Sequence, residues 1–132
     1  SGACIGGRGS RAERMKGMTK GSNLERKGEE LAVRFLMRKG YEIAERGWSC
    51  EEGAVDIIAR DGNDLVFVEV KTRRGSALPY ECGSEAKAAR LKRSAVLYTA
   101  EHGLNEVEVR FDVMGVLLVG ERAIVRHHVS VL

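Results

Sequence analysis

The chain has 132 residues, 43% hydrophobic and 31% charged, with a net charge of +3. That is the size and mixture of one globular domain with a real core, which excludes a multidomain machine and a disordered chain. No run approaches the roughly 20 apolar residues of a membrane span or looks like a signal peptide, so the sequence reads as soluble and cytoplasmic.

The charge is unevenly laid out. Residues 1–28 carry seven Lys/Arg against two Glu, so the remainder is net acidic. The first 22 residues also hold six of the 16 glycines and no periodic apolar positions, which predicts a flexible basic tail over 1–22 and one domain over 23–132. The bulk basicity therefore says little about partners. Cys4, Cys50 and Cys82 are odd in number and widely spaced, so neither a zinc cluster nor a disulfide framework is indicated. His102, His127 and His128 lack ligand spacing, and the last two are expected at the surface.

From Asn23, a plausible N-cap, Leu24, Leu31, Ala32, Phe35 and Leu36 form one helical stripe, and Gly40 sits where a helix C-terminal glycine belongs. Tyr41–Trp48 reads as a strand. Val55–Arg60 and Leu65–Lys71 flank Asp61-Gly62-Asn63-Asp64, a strong hairpin signal. A polar loop with the only proline, Pro79, leads to a second helix over about Ser84–His102, with apolar positions Ala88, Leu91, Ala95, Val96 and Tyr98. Val107–Val113 alternates like a strand, and Val116–Val119 with Ala123–Val131 reads as a closing hairpin. The order predicts an α+β or mixed α/β fold, a central sheet covered by helices.

The hairpin carries the chemistry. Leu65, Phe67, Glu69 and Lys71 share one face of their strand, and Val66, Val68 and Val70 share the other. A Gly62-Asn63 turn puts Asp56 opposite Glu69; an Asp61-Gly62 turn puts it opposite Phe67 and diagonal to Glu69. Either register leaves the two acids within roughly 4.5–8 Å on one face. Facing carboxylates repel unless a cation compensates, and hard oxygen ligands suit Mg²⁺ or Mn²⁺. Lys71 adds a positive charge beside them. A metal-held water with an ammonium group suits phosphodiester hydrolysis.

The pattern D-x₁₂-E-x-K, after a helix with an early Glu, resembles the PD-(D/E)XK nuclease superfamily. Gly28-Glu29-Glu30-Leu31-Ala32, Lys39-Gly40-Tyr41, the run Val55-Asp56-Ile57-Ile58-Ala59-Arg60-Asp61-Gly62, the run Leu65-Val66-Phe67-Val68-Glu69-Val70-Lys71-Thr72-Arg73 and Arg110-Phe111-Asp112-Val113 resemble the YraN-like family within it. That family is similar in fold to archaeal Holliday-junction resolvases. The resemblance implies a restriction-endonuclease-like αβββαβ core, here with an extra C-terminal hairpin, and a metal-dependent endonuclease acting on DNA, with branched or damaged DNA among the candidates. It implies Asp56 and Glu69 as ligands of Mg²⁺ or Mn²⁺, Lys71 as the catalytic lysine and Glu29 as the acid completing the site. Its neighbour Glu30 is the alternative, but Glu29 is spaced i, i+3, i+7 with Ala32 and Leu36, on the sheet-facing side of the helix. The related resolvases work as dimers, which suggests a homodimer.

One departure bears on activity. The family usually has G-E-I-D where this chain has Gly53-Ala54-Val55-Asp56, so Ala54 removes a carboxylate from the face of Asp56. Glu51 or Glu52 are the acids that could compensate. Lys87, Arg90, Lys92 and Arg93 make an acid-free basic stretch on the second helix, with Arg73 and Arg74 just beyond the hairpin. Lys87 and Arg90 match basic positions of the family. Arg73, Lys87 and Arg90 are the candidate phosphate contacts. The competing reading is a nucleic-acid-binding module that keeps the fold and cuts little or nothing.

Overall fold

The structure is a computed structural model and describes residues 20–75 and 85–131. Its elements are α1 (Lys20–Arg38), β1 (Glu42–Cys50), β2 (Gly53–Asp61), β3 (Asp64–Arg74), α2 (Glu85–Glu101), β4 (Val109–Val119) and β5 (Arg122–His128). They build the mixed α+β architecture expected from the sequence. One five-stranded sheet has the order β1-β2-β3-β4-β5, antiparallel except for the parallel pair β3 and β4. The parallel pair follows from α2, since two parallel neighbours need a long crossover.

Helix α1 stops at Gly40, whose φ is +93°. The Tyr41 N–H donates to the Leu36 carbonyl at 2.9 Å and the Gly40 N–H to that of Met37 at 3.0 Å, a Schellman closure that spares the last carbonyls. The helix starts at Lys20, ahead of the cap expected at Asn23. No proline stands in Lys20-Gly-Ser-Asn, and extending an existing helix costs far less than nucleating one. The expected tail therefore gives its last three residues to α1, and the rest of it lies outside the described residues.

Each sheet face is covered by one helix. Ala32, Val33 and Leu36 of α1 close over Ile57, Ala59, Val66, Val68 and Met114. Ala95 and Tyr98 of α2 close over Trp48, Val55, Ile58, Leu65 and Phe67. Tyr98 packs edge-on against both Trp48 and Phe67, with ring centroids 5.2 and 5.8 Å apart. Val96, expected on this stripe, points to solvent instead. Leu97, one residue on, packs against the core.

The C-terminal region differs from expectation in two ways. Val107–Val113 and Val116–Val119 are not separate strands: Val109–Val119 is continuous, with Gly115 paired to Lys71 on one side and Arg126 on the other. A glycine inside a ladder keeps its pairing, so it need not end the strand. His127 is not a surface residue; its side chain is 3% exposed. Its Nε2 lies 2.7 Å from Oδ2 of Asp112, which is fully buried. The Lys39 ammonium, a donor only, sits 2.8 Å from His127 Nδ1, so the neutral ring carries its proton on Nε2 and donates it to Asp112. Arg110 also pairs with Asp112 and reaches Asp61 and the Tyr41 hydroxyl. His128 is half-buried.

Candidate functional site

The Gly62-Asn63 register is the one adopted: Asp61 pairs with Asp64 and Ile57 with Val68. Continued one step, that register would bring Asp56 opposite Glu69, just past the last paired residues. Ladder pairing ends at Ile57 and Val68, and from there the Asp56 carboxylate takes the place of a backbone acceptor. The Val70 N–H donates to Asp56 Oδ2 at 2.7 Å. The carboxylate is thus clamped by the neighbouring strand.

A cleft of about 230 Å³ opens where the strands part, between the sheet and α2. Asp56 and Glu69 line one wall together with Val55 and Val68, and Arg90, Leu91 and Ser94 of α2 line the other. Glu52, Gly53 and Ala54 complete its rim. Lys71 Nζ lies 3.9 Å from Glu69 Oε1, the two side chains being only 17% and 23% exposed. Phe67 and Leu65, earlier on the same face of β3, are fully buried under α2. The apolar start of this face therefore anchors the strand, and its polar end reaches the cleft.

Glu29 is half-buried in α1, next to Gly28. Gly28 is itself buried against β3: a Cβ there would sit 1.8 Å from Thr72 Oγ1 and 2.8 Å from Thr72 Cβ and Cγ2. Only a glycine lets α1 lie this close to the strand carrying Glu69 and Lys71. Thr72 Oγ1 is buried without a hydrogen-bond partner. Gly28→Ala is expected to destabilise by about 1–3 kcal/mol, as overpacking does. Thr72→Val, which removes the orphaned hydroxyl at nearly constant shape, should be neutral or stabilising. Urea denaturation of both variants measures this; equal effects of the two would contradict the contact.

Among the described residues no three His, Cys, Asp or Glu side chains converge closely enough to hold a metal ion by themselves. Glu29 therefore does not form a three-acid group with Asp56 and Glu69 here. The donor set still fits a hard divalent cation. Two carboxylates face one half-buried cleft, and such cations keep several water or phosphate ligands.

The basic residues divide. Arg90 lines the cleft, Arg73 is exposed with Nη1 on the Thr72 carbonyl, and the Lys87 side chain lies outside what is described. Arg93 Nε donates to Glu52 Oε1 at 2.8 Å. That pair carries no composition or spacing signal, because its partners are 41 residues apart. Glu30 pairs with Arg46 and Arg34 on the surface, and the Arg46 hydrogen bond holds its carboxyl below the usual range. Trp48 is part of the core, and Cys50 rests 3.7 Å from the Ser94 hydroxyl.

A five-stranded mixed sheet between two helices, with paired acids where its central strands part, defines the class: a mixed α+β domain with an acidic cleft. The chain belongs to the family described as "Uncharacterised protein family UPF0102", whose profile matches residues 28–116. Relatives named UPF0102 protein agree. One from Beutenbergia cavernae is 49% identical over 92 residues, covering 68% of this chain and 78% of its own. One from Nocardia farcinica is 46% identical over 103 residues, covering 76% and 81%. One from Streptomyces griseus is 44% identical over 108 residues, covering 80% and 91%. The matched span holds Asp56, Glu69, Lys71 and Arg90 and ends before β5. Among the described residues no helix is long and apolar enough to cross a membrane.

Proposed function

We propose that this protein is a metal-dependent endonuclease that hydrolyses phosphodiester bonds of DNA. The observation that supports it most is the joint placement of Asp56 and Glu69 on one cleft wall, with Lys71 within 3.9 Å of Glu69 and Arg90 across the gap. Mg²⁺ or Mn²⁺ held by these two carboxylates and otherwise by water or phosphate oxygens would supply Lewis-acid activation of water and neutralise phosphate charge. Asp56, fixed by the Val70 N–H, keeps its carboxylate aimed without paying for orientation during turnover. Lys71 places an ammonium where it orients the attacking oxygen and stabilises charge on the phosphate as it builds. Arg90, with Arg73 and Lys87, holds neighbouring phosphates and so fixes the strand.

The second reading, a binding module with little or no cleavage, is favoured by one observation. Ala54 is exposed at the cleft rim, where an acid would add to the ligand set. An assay with linear, single-stranded, nicked and four-way-junction DNA in Mg²⁺ and in Mn²⁺ separates the two. Fold kinship does not fix the substrate, so the panel must be broad. Cleavage of at least one substrate, lost in Glu69→Ala, is the expected result. Binding without cleavage under either metal overturns the enzyme reading, and Ala54→Glu then becomes the variant to try.

Metal should also act on stability by linkage. Mn²⁺ is expected to raise Tm by several degrees, since a ligand at 100 times its Kd stabilises by about 2.7 kcal/mol. The shift should largely vanish in Asp56→Asn. Equal shifts in both proteins would place the ion elsewhere.

A further inference from the structure

Arg90 and Arg93 lie three residues apart on α2, which puts them on neighbouring positions of one helix face. Arg90 lines the acidic cleft. Arg93 does not stand open: Glu52, on the turn between β1 and β2 and itself part of the cleft rim, accepts its Nε–H at 2.8 Å. A carboxylate oxygen on a guanidinium is the contact a phosphate oxygen would make there, with the same charge and donor geometry. The Arg93 side chain is 57% exposed and that of Glu52 26%. A pair this exposed is weak and readily exchanged for another anion.

We propose that Arg90 and Arg93 form a phosphate-binding subsite beside the cleft, whose outer half Glu52 occupies as a resident phosphate mimic until a nucleic-acid strand displaces it. The ligand is a phosphodiester strand, with one phosphate on Arg90 and a neighbouring one on Arg93. This rests on the nucleic-acid reading above and adds to it a competing internal anion. Glu52 therefore sets the threshold for binding. A free anion must displace Glu52 unaided, whereas a strand already anchored at Arg90 gains Arg93 at high effective concentration.

The test measures binding of short fluorescein-labelled duplex and single-stranded DNA without divalent metal, by anisotropy over a salt series. The proteins are wild type, Glu52→Gln, Arg93→Ala, the double variant and Arg90→Ala, each checked for folding by circular dichroism. Glu52→Gln is expected to tighten binding about 3–10-fold at low salt and to steepen the salt dependence by about one released counterion. In the Arg93→Ala background the same change should give no gain, because the arginine it frees is absent. Arg90→Ala should weaken binding in every case. Equal tightening with and without Arg93 would overturn the subsite in favour of general repulsion by Glu52. Unchanged or weaker binding in Glu52→Gln would also overturn it. DNA binding that is absent in all five proteins would overturn the nucleic-acid reading and the subsite together, whereas the preceding outcomes sink the subsite alone.

Discussion

Asp112→Ala is expected to destabilise the domain by about 3 kcal/mol or more, the cost of breaking a buried ion pair from one side. Asp112 is fully buried and receives Arg110, His127 and the Ser130 N–H at once. Its removal strands the His127 ring, only 3% exposed, and takes one of the acceptors of Arg110. It also loosens the chain end, where the Val131 N–H bonds to the Phe111 carbonyl. The pH dependence gives an independent check. Burial pushes the Asp112 carboxyl up, but the hydrogen bonds from His127, Arg110 and Ser130 together outweigh it and hold the group below the usual carboxylate range. A depressed value in the folded state means stability that is present above the unfolded value near pH 4 and is lost as pH falls below it. Asp61, lowered chiefly by its hydrogen bond from Arg110, adds the same sign. Asp112→Asn should therefore be less stable at neutral pH and show a shallower acid limb in urea denaturation. An unchanged limb would mean that the network does not carry the acid sensitivity.

Lys71→Ala is expected to lower DNA cleavage by about 10²–10³-fold, the usual size of losing one preorganised group that stabilises transition-state charge. The carboxylates remain, so the Mn²⁺-induced Tm shift should persist. It should even grow, because the ammonium 3.9 Å from Glu69 competes with a cation for the same acid. DNA affinity should change less than about threefold, since one of several positive charges is lost. Single-turnover rates and anisotropy separate these effects. A parallel loss of rate and affinity would make Lys71 a binding residue only.

Much of this was legible in the sequence for physical reasons. The alternation Leu65, Phe67, Glu69, Lys71 against Val66, Val68, Val70 has one solution as a strand, and the Gly62-Asn63 turn fixes its partner. Asp56 and Glu69 therefore had to share a face in either register. What could not be read was long-range and polar. Asp112 alternates with Phe111 and Val113 like an outward residue, yet α1 covers that face as well, so Asp112 is buried and needs His127 from β5. Nothing local in His127-His128 announces that partner. The Glu52–Arg93 pair is hidden for the same reason. Helix limits at Lys20 and the unbroken strand through Gly115 were missed because propagation and pairing override weak local signals.

The most direct test is diffraction from crystals soaked in Mn²⁺, with data collected to locate the ion by its anomalous scattering. A peak between Asp56 and Glu69, absent in Asp56→Asn crystals of the same form, is the expected result. A peak only elsewhere, for example at Asp61 and Asp64 on the hairpin tip, or no peak in the cleft at saturating Mn²⁺, would contradict a metal-dependent nuclease site there.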